Sequence, residues 1–235
     1  MRKLLKHLKP FTWLIVAIFV LLFAQAMADL SLPGYMANIV NVGIGQNGVE
    51  NAVPAAISQS EYNKIALFLT ESEKAQVDAG YILLDKQTLS YADYDKYVKT
   101  YPQLTNISIY KLDTRDKTQI NRLNTIFVNT IPIVAAIEKN GLAAYVGSSI
   151  QIPAGVDPFT VMAQLPPAQL DTVRTQAADQ MKAISATLLK QYATLYISTE
   201  YKSLGMDIGR TQNKYMFRMG GLMLLLTLAG TVCSV

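Results

Sequence analysis

The sequence predicts a mainly α-helical membrane protein, with two transmembrane helices flanking an α-rich extracytoplasmic domain that carries at most a small β-hairpin. Three observations predict it. Residues 11–28, FTWLIVAIFVLLFAQAMA, carry no charge and only Thr12 and Gln25 as clearly polar side chains. From Met219 to Val235 there is again no charged residue. Between these runs lie all 17 acidic residues, from Asp29 to Asp207, and they nearly balance the bases there. The formal charge of +4 therefore comes from Arg2, Lys3, Lys6 and Lys9, in a ten-residue start that holds no acid. Basic residues beside an apolar run orient a membrane segment, and the neutral middle excludes a phosphate-gripping surface, so no nucleic-acid partner is expected.

The elements follow in order. Residues 1–10 form a basic amphipathic start, placed in the cytoplasm by the positive-inside rule. The apolar run 11–28 spans about 27 Å as a helix, close to the ~30 Å of bilayer hydrocarbon. A secretory signal is the rival, because Ala26-Met27-Ala28 before Asp29 has the small-x-small form of a cleavage site. Yet the apolar run exceeds the ~7–15 residues of a signal core. Leu32, Met36, Ile39, Val40 and Gly43 also keep helical spacing beyond it. Pro33 cannot donate to the carbonyl of Asp29, and Gly34 loosens the same turn, so one helix over 11–44 is expected to kink there and project outside.

Residues 45–205 read as an α-rich outer domain. Thr70 with Glu73 forms a capping box before a short helix that Gly80 stops. Ser90 caps YADYDKYVKTY, which Pro102 terminates. Thr114 is expected to cap the helix through RDKTQINRLNTIFV, with Pro132 ending or kinking it. Pro166-Pro167 opens the longest pattern, in which Leu170, Val173, Ala177, Met181, Ile184, Leu188 and Tyr192 keep helical spacing. YILL (81–84) and ISIYKL (107–112) read as short strands. Residues 206–235 form the second transmembrane helix, and its uncharged end reads as cut short, with a longer protein continuing beyond Val235. Trp13, Tyr215 and Phe217 fit interfacial belts.

These ends resemble a known family. MRKLLKHLKP, an apolar helix and DLSLPGYMANIVNVGI are similar to the first transmembrane helix of bacterial multidrug-type ABC exporters, and YMFRMGGLMLLLTLAGTVCSV looks like the start of their second. The likeness covers residues 1–45 and 206–235, and the long stretch between matches a subset of half-transporters with an enlarged outer domain. The resemblance implies ATP-driven export of a small hydrophobic or peptide substrate across the plasma membrane. It also implies a second half-subunit as heterodimer partner, the lipid bilayer as surroundings, and ATP with Mg2+ bound beyond residue 235. Two other plans share this layout: a membrane-anchored sensor or receptor input domain, and a secreted helical binding module with a signal peptide.

Chemistry-bearing patterns are few. Gly43-Ile44-Gly45-Gln46-Asn47-Gly48 matches G-x-G-x-x-G, but a dinucleotide fingerprint needs a preceding strand, and here a helix leads in. No G-x-x-x-x-G-K-[ST] occurs, and His7 is the only histidine, which excludes a His-based triad or zinc site. Cys233 alone makes no disulfide. Asp93 and Asp95 stand two apart, on different helix faces, as solvated charge. Tyr94, Val98 and Tyr101 share a face, as do Tyr192 and Tyr196, in the manner of core packing. Asn106-Ile107-Ser108 is a glycosylation sequon by pattern. Within the apolar segments, Gln25 and Asp29 are the pathway candidates, since polar side chains at membrane depth either line a route or join helices.

Overall fold

Two long apolar helices bracket everything else in the chain. The computed structural model describes residues 11–142 and 156–234; the basic start 1–10, with His7, lies outside them. The chain is mainly helical with one small sheet, and it divides into two units. One joins the chain up to Gly48 with the chain from Arg210 onward, and the other is Val49–Gly209.

In the first unit, α1 (Thr12–Asn38) runs α-helical through Pro33 and then widens to a π-helix over Ile39–Ile44. The change in helical geometry thus falls after Pro33–Gly34 rather than on it. Ser31 Oγ donates to the carbonyl of Met27 (2.7 Å), an i−4 bond that takes up a backbone acceptor one turn before the proline. The returning helix, α9, covers Ile208–Ser234, 27 residues. At 1.5 Å per residue that is about 40 Å, so the second segment is long enough to cross a bilayer as it stands.

The second unit begins with β1 (Ala56–Ser58), α2 (Gln59–Ala66), α3 (Glu71–Asp78), β2 (Tyr81–Leu84) and α4 (Tyr91–Val98). A 3-10 turn, Pro102–Thr105, leads into β3 (Ile109–Leu112). The helices α5 (Lys117–Asn140), α6 (Pro158–Ala163), α7 (Pro167–Met181) and α8 (Ala186–Ser203) complete it. The strands form an antiparallel sheet in the order β1-β3-β2, with Ile57 opposite Tyr110 and Leu84 opposite Ile109. This is a three-stranded sheet rather than a hairpin, because β1 pairs with the outer side of β3. Side chains alternate across the sheet. Ile57, Tyr81, Tyr110 and Leu112 join the main core with Phe127, Ile131 and Ile197. Ala56, Leu84 and Ile109 join a second cluster with Tyr101, Leu104 and Leu204.

Several local expectations are corrected. The cap of α5 is Asp116, whose Oδ1 accepts from the N–H of Thr118 (2.9 Å), while Thr114 Oγ1 only accepts from the N–H of Asp116. Pro132 neither ends nor borders that helix, which continues to Asn140 with Ile131, Ile133, Val134 and Ile137 buried around the proline. Burial on that scale offsets the lost backbone bond, about 3 kcal/mol. The pattern from Pro167 to Tyr192 is two helices, because Ser185 caps a fresh start at Ala186. Helix α4 ends at Val98, before Pro102, which instead opens the 3-10 turn. Tyr201 and Leu204, at 5% and 0% exposure, are core residues of the second unit.

Among the described residues, three helices are long and apolar enough to cross a membrane: Trp13–Ile44, Lys117–Asn140 and Ile208–Val232. Half of the apolar stretch of the middle one is buried within the structure, against 6% and 17% for the outer two. The apolarity of α5 is thereby used up on a protein core, while α1 presents Trp13, Phe19, Phe23 and Leu30 outward.

Candidate functional site

Two places bring functional side chains together, one in each unit. In the first unit, α1 and α9 approach where side chains are missing. A Cβ placed on Gly43 would stand 3.2 Å from Met216 Cγ and 3.5 Å from a ring carbon of Tyr215. One on Gly48 would stand 2.8 Å from Gln212 Cα and from the carbonyl oxygen of Thr211. One on Gly230 would lie 3.9 Å from Asp29 Oδ1. These pairings run antiparallel along the two helices. Small residues let helix backbones close in this way in a medium where burial of apolar surface supplies no drive.

The pathway candidates stand apart from one another. Gln25 is half-buried, and its side chain makes no hydrogen bond among the described residues. Asp29 is exposed and faces Gly230. Gly34 has open space beside it. The G-x-G-x-x-G stretch is a helix end: Gly45 N–H donates to Val40 O (2.9 Å) and Gly48 N–H to Val42 O (2.8 Å), with Asn47 and Gly48 at φ +50° and +77°. The strand of a dinucleotide fingerprint is absent there. Gln46 in that turn is buried at 8% exposure, and its Oε1 has no hydrogen-bond partner.

In the second unit the incoming and outgoing chain are tied together by α8. Glu200, itself buried, accepts the N–H of Ser58 on Oε1 (2.8 Å) and the hydroxyl of Ser203 on Oε2 (2.9 Å). Tyr201 accepts the N–H of Ala55 on its phenol oxygen (2.6 Å). The N–H of Ala52 donates to Asn124 Oδ1 (2.8 Å). Beside this clamp, Lys64 bridges Glu61 (2.6 Å) and Glu138 (2.5 Å), and Tyr196 donates to Glu61. Burial alone would lower Lys64, but the hydrogen bonds to Glu138 and Glu61 hold its ammonium above the ordinary lysine range. Burial, and then the bond to Glu61, push the Tyr196 phenol up. Sequence reasoning missed Glu200, Tyr201 and Ser58. Their partners lie 142 and 146 residues away along the chain, and no local pattern announces such pairings.

The remaining sequence candidates disperse. Asp93 is taken up by the Ser90 cap of α4, and Asp95 is exposed. Tyr94, Val98 and Tyr101 pack in the second core cluster. Tyr196 packs on the main core, while Tyr192 is 49% exposed. Asn106 of the sequon is exposed and donates to Gln103 (3.0 Å), and Ser108 donates to Asp85. Among the described residues no group of three or more His, Cys, Asp or Glu could hold a metal ion. The sequence holds no G-x-x-x-x-G-K-[ST] phosphate loop. No family model, curated protein or solved structure matches the chain.

Proposed function

We propose that the chain is the N-terminal part of the membrane subunit of an ATP-driven ABC exporter. In this reading α1 and α9 cross the plasma membrane, the N-terminus is cytoplasmic, and Val49–Gly209 stands outside. The outer domain gates or regulates release of a small hydrophobic or peptide substrate, and a second half-subunit completes the pathway. ATP and Mg2+ act elsewhere in the assembly.

The observation that carries the reading is the pairing of the two apolar helices. Although a whole domain separates them in sequence, they meet at Gly43, Gly48 and Gly230, as consecutive spans do when an insert occupies their outer loop. The Leu-Pro and Gly-Ile features of the first helix support it through the resemblance to such exporters. The basic start supports the orientation. The burial of α5 supports leaving it in the outer domain.

The test has two arms. With Cys233 replaced, single cysteines at Ser60 or Gln169, both exposed, should react with an impermeant thiol reagent on intact cells, and one at Lys3 should not. The full-length protein in nanodiscs should hydrolyse ATP. Labelling of position 3 from outside overturns the orientation. The expected labelling without ATP hydrolysis overturns the exporter and leaves the sensor plan.

A further inference from the structure

The outer domain holds a groove that the exporter reading does not use. The last two turns of α5, the end of α7 and one face of α8 enclose a cavity of about 260 Å³. Its walls are apolar: Pro132, Ala136, Met181 and Ile184. Its rim carries Lys139, Asn140 and Tyr192. The side chains of these three make no hydrogen bond or ion pair among the described residues. Lys139 and Asn140 are exposed, and the Tyr192 ring is 49% exposed.

The apolar wall also continues outward. On α8, Leu188, at 40% exposure, lies one helical turn before Tyr192, and Leu195, at 49%, extends the stripe. Soluble surfaces carry single exposed apolar side chains without consequence, but a contiguous stripe leading into an apolar cavity marks a place where something docks.

The chemistry of the rim selects the occupant. An ammonium, an amide and a phenol supply donors and one full positive charge, with no carboxylate among the lining residues. A ligand that satisfies them offers acceptors and a negative charge at one end and hydrocarbon at the other. The volume lies below the ~300–1,000 Å³ of drug-sized pockets, which favours a short chain over a membrane lipid. We propose that this groove binds a free, small amphiphilic carboxylate, its head between Lys139, Asn140 and Tyr192 and its chain against Ala136, Met181 and Ile184. The site does not depend on the exporter reading, since a sensor domain or a secreted module would use it equally.

The probe is octanoate bearing a terminal diazirine, photoactivated with the whole chain in nanodiscs and mapped by peptide mass spectrometry. Labelling is expected on the peptides around Ala136 and Met181–Ile184. Unlabelled octanoate should suppress it at least tenfold more effectively than octanol. Ala136→Trp, which fills the cavity, should remove this labelling tenfold or more without changing the melting temperature of the chain greatly. Lys139→Glu should remove it too, and octylammonium bearing the same diazirine should then label these peptides in its place. Lys139 also meets the carbonyl end of α5, which favours a cation, so the competition between octanoate and octanol on the unaltered chain stands as an independent reading. Labelling confined to the two apolar helices, labelling that survives both substitutions, or equal competition by octanol each overturns the proposal.

Discussion

Tyr201 carries more than its apolar bulk. Its phenol is buried and accepts the N–H of Ala55, so the outgoing helix α8 supplies the acceptor that the incoming strand lacks. Burial pushes its pKa up to about 12, although the bond from Ala55 pulls the other way. A tyrosine raised in the folded state contributes stability that is complete below its unfolded pKa near 10 and is lost as pH rises toward the folded value. The Val49–Gly209 unit should therefore lose stability between pH 10 and 12, by about 2–3 kcal/mol from Tyr201 alone. Tyrosinate absorbance should rise together with unfolding rather than before it. Tyr201→Phe should lower the stability at pH 7 by about 0.5–1.5 kcal/mol, since the N–H of Ala55 loses a part-buried acceptor, and should make the alkaline loss shallower. A Phe variant with an unchanged melting temperature and an unchanged alkaline profile would show that the bond does not hold the strand.

Gly48 decides how closely the two long helices approach. Its φ of +77° is in the left-handed region, and a Cβ there would press on the backbone of Thr211 and Gln212 at 2.8 Å. Gly48→Ala should cost about 1–2 kcal/mol for the dihedral alone, and more if the helices must part. Gly34→Ala, in open space within α1, should be neutral or gain up to about 1 kcal/mol of helix propensity. Thermal melting of the two variants in the same nanodiscs separates them, and equal effects would remove the close approach as the reason. The elements themselves were unevenly legible in the sequence. Thr70 with Glu73 was readable as a capping box because both partners sit within one turn, and both bonds form. Ser90 was readable for the same reason. Asp116 and Thr114 are both capping residues two apart, and the choice between them rests on where the core helix must begin. Strand β1 could not be read, since three residues show no alternation and their pairing is set by β3 more than fifty residues on. Ser185 was overrun because Ile184, Leu188 and Tyr192 keep helical phase across the break. Of the functional candidates, the apolar spans were legible from composition alone, while the Glu200–Tyr201 clamp and the groove at Lys139 depend on helices that meet only in the folded chain.

At the scale of the whole molecule, the two units make separate demands on the sequence. Val49–Gly209 owns both hydrophobic clusters, its own sheet and its own caps, so it should fold without the membrane helices. Its limits matter. Residues 49–209, expressed alone, should give a soluble, mainly helical protein that melts cooperatively. A shorter piece ending at residue 200 should melt far lower or fail to fold. It would lose Tyr201 with its bond to Ala55, and Leu204, which is fully buried and whose carbonyl accepts the N–H of Gln103 (3.3 Å). Removing a buried Leu and a buried Tyr together takes away on the order of 5 kcal/mol, comparable to the net stability of a domain this size. The complementary experiment replaces 49–209 with a short Gly/Ser linker in the full-length protein. The pairing of α1 with α9 at Gly43 and Gly230 lies within their own unit, so membrane insertion should survive, and under the exporter proposal basal ATP hydrolysis should survive too while export or its regulation changes. If both insertion and ATP hydrolysis are lost, the outer domain is part of what holds the membrane helices together, and the division at Gly48 and Gly209 does not describe how the protein works.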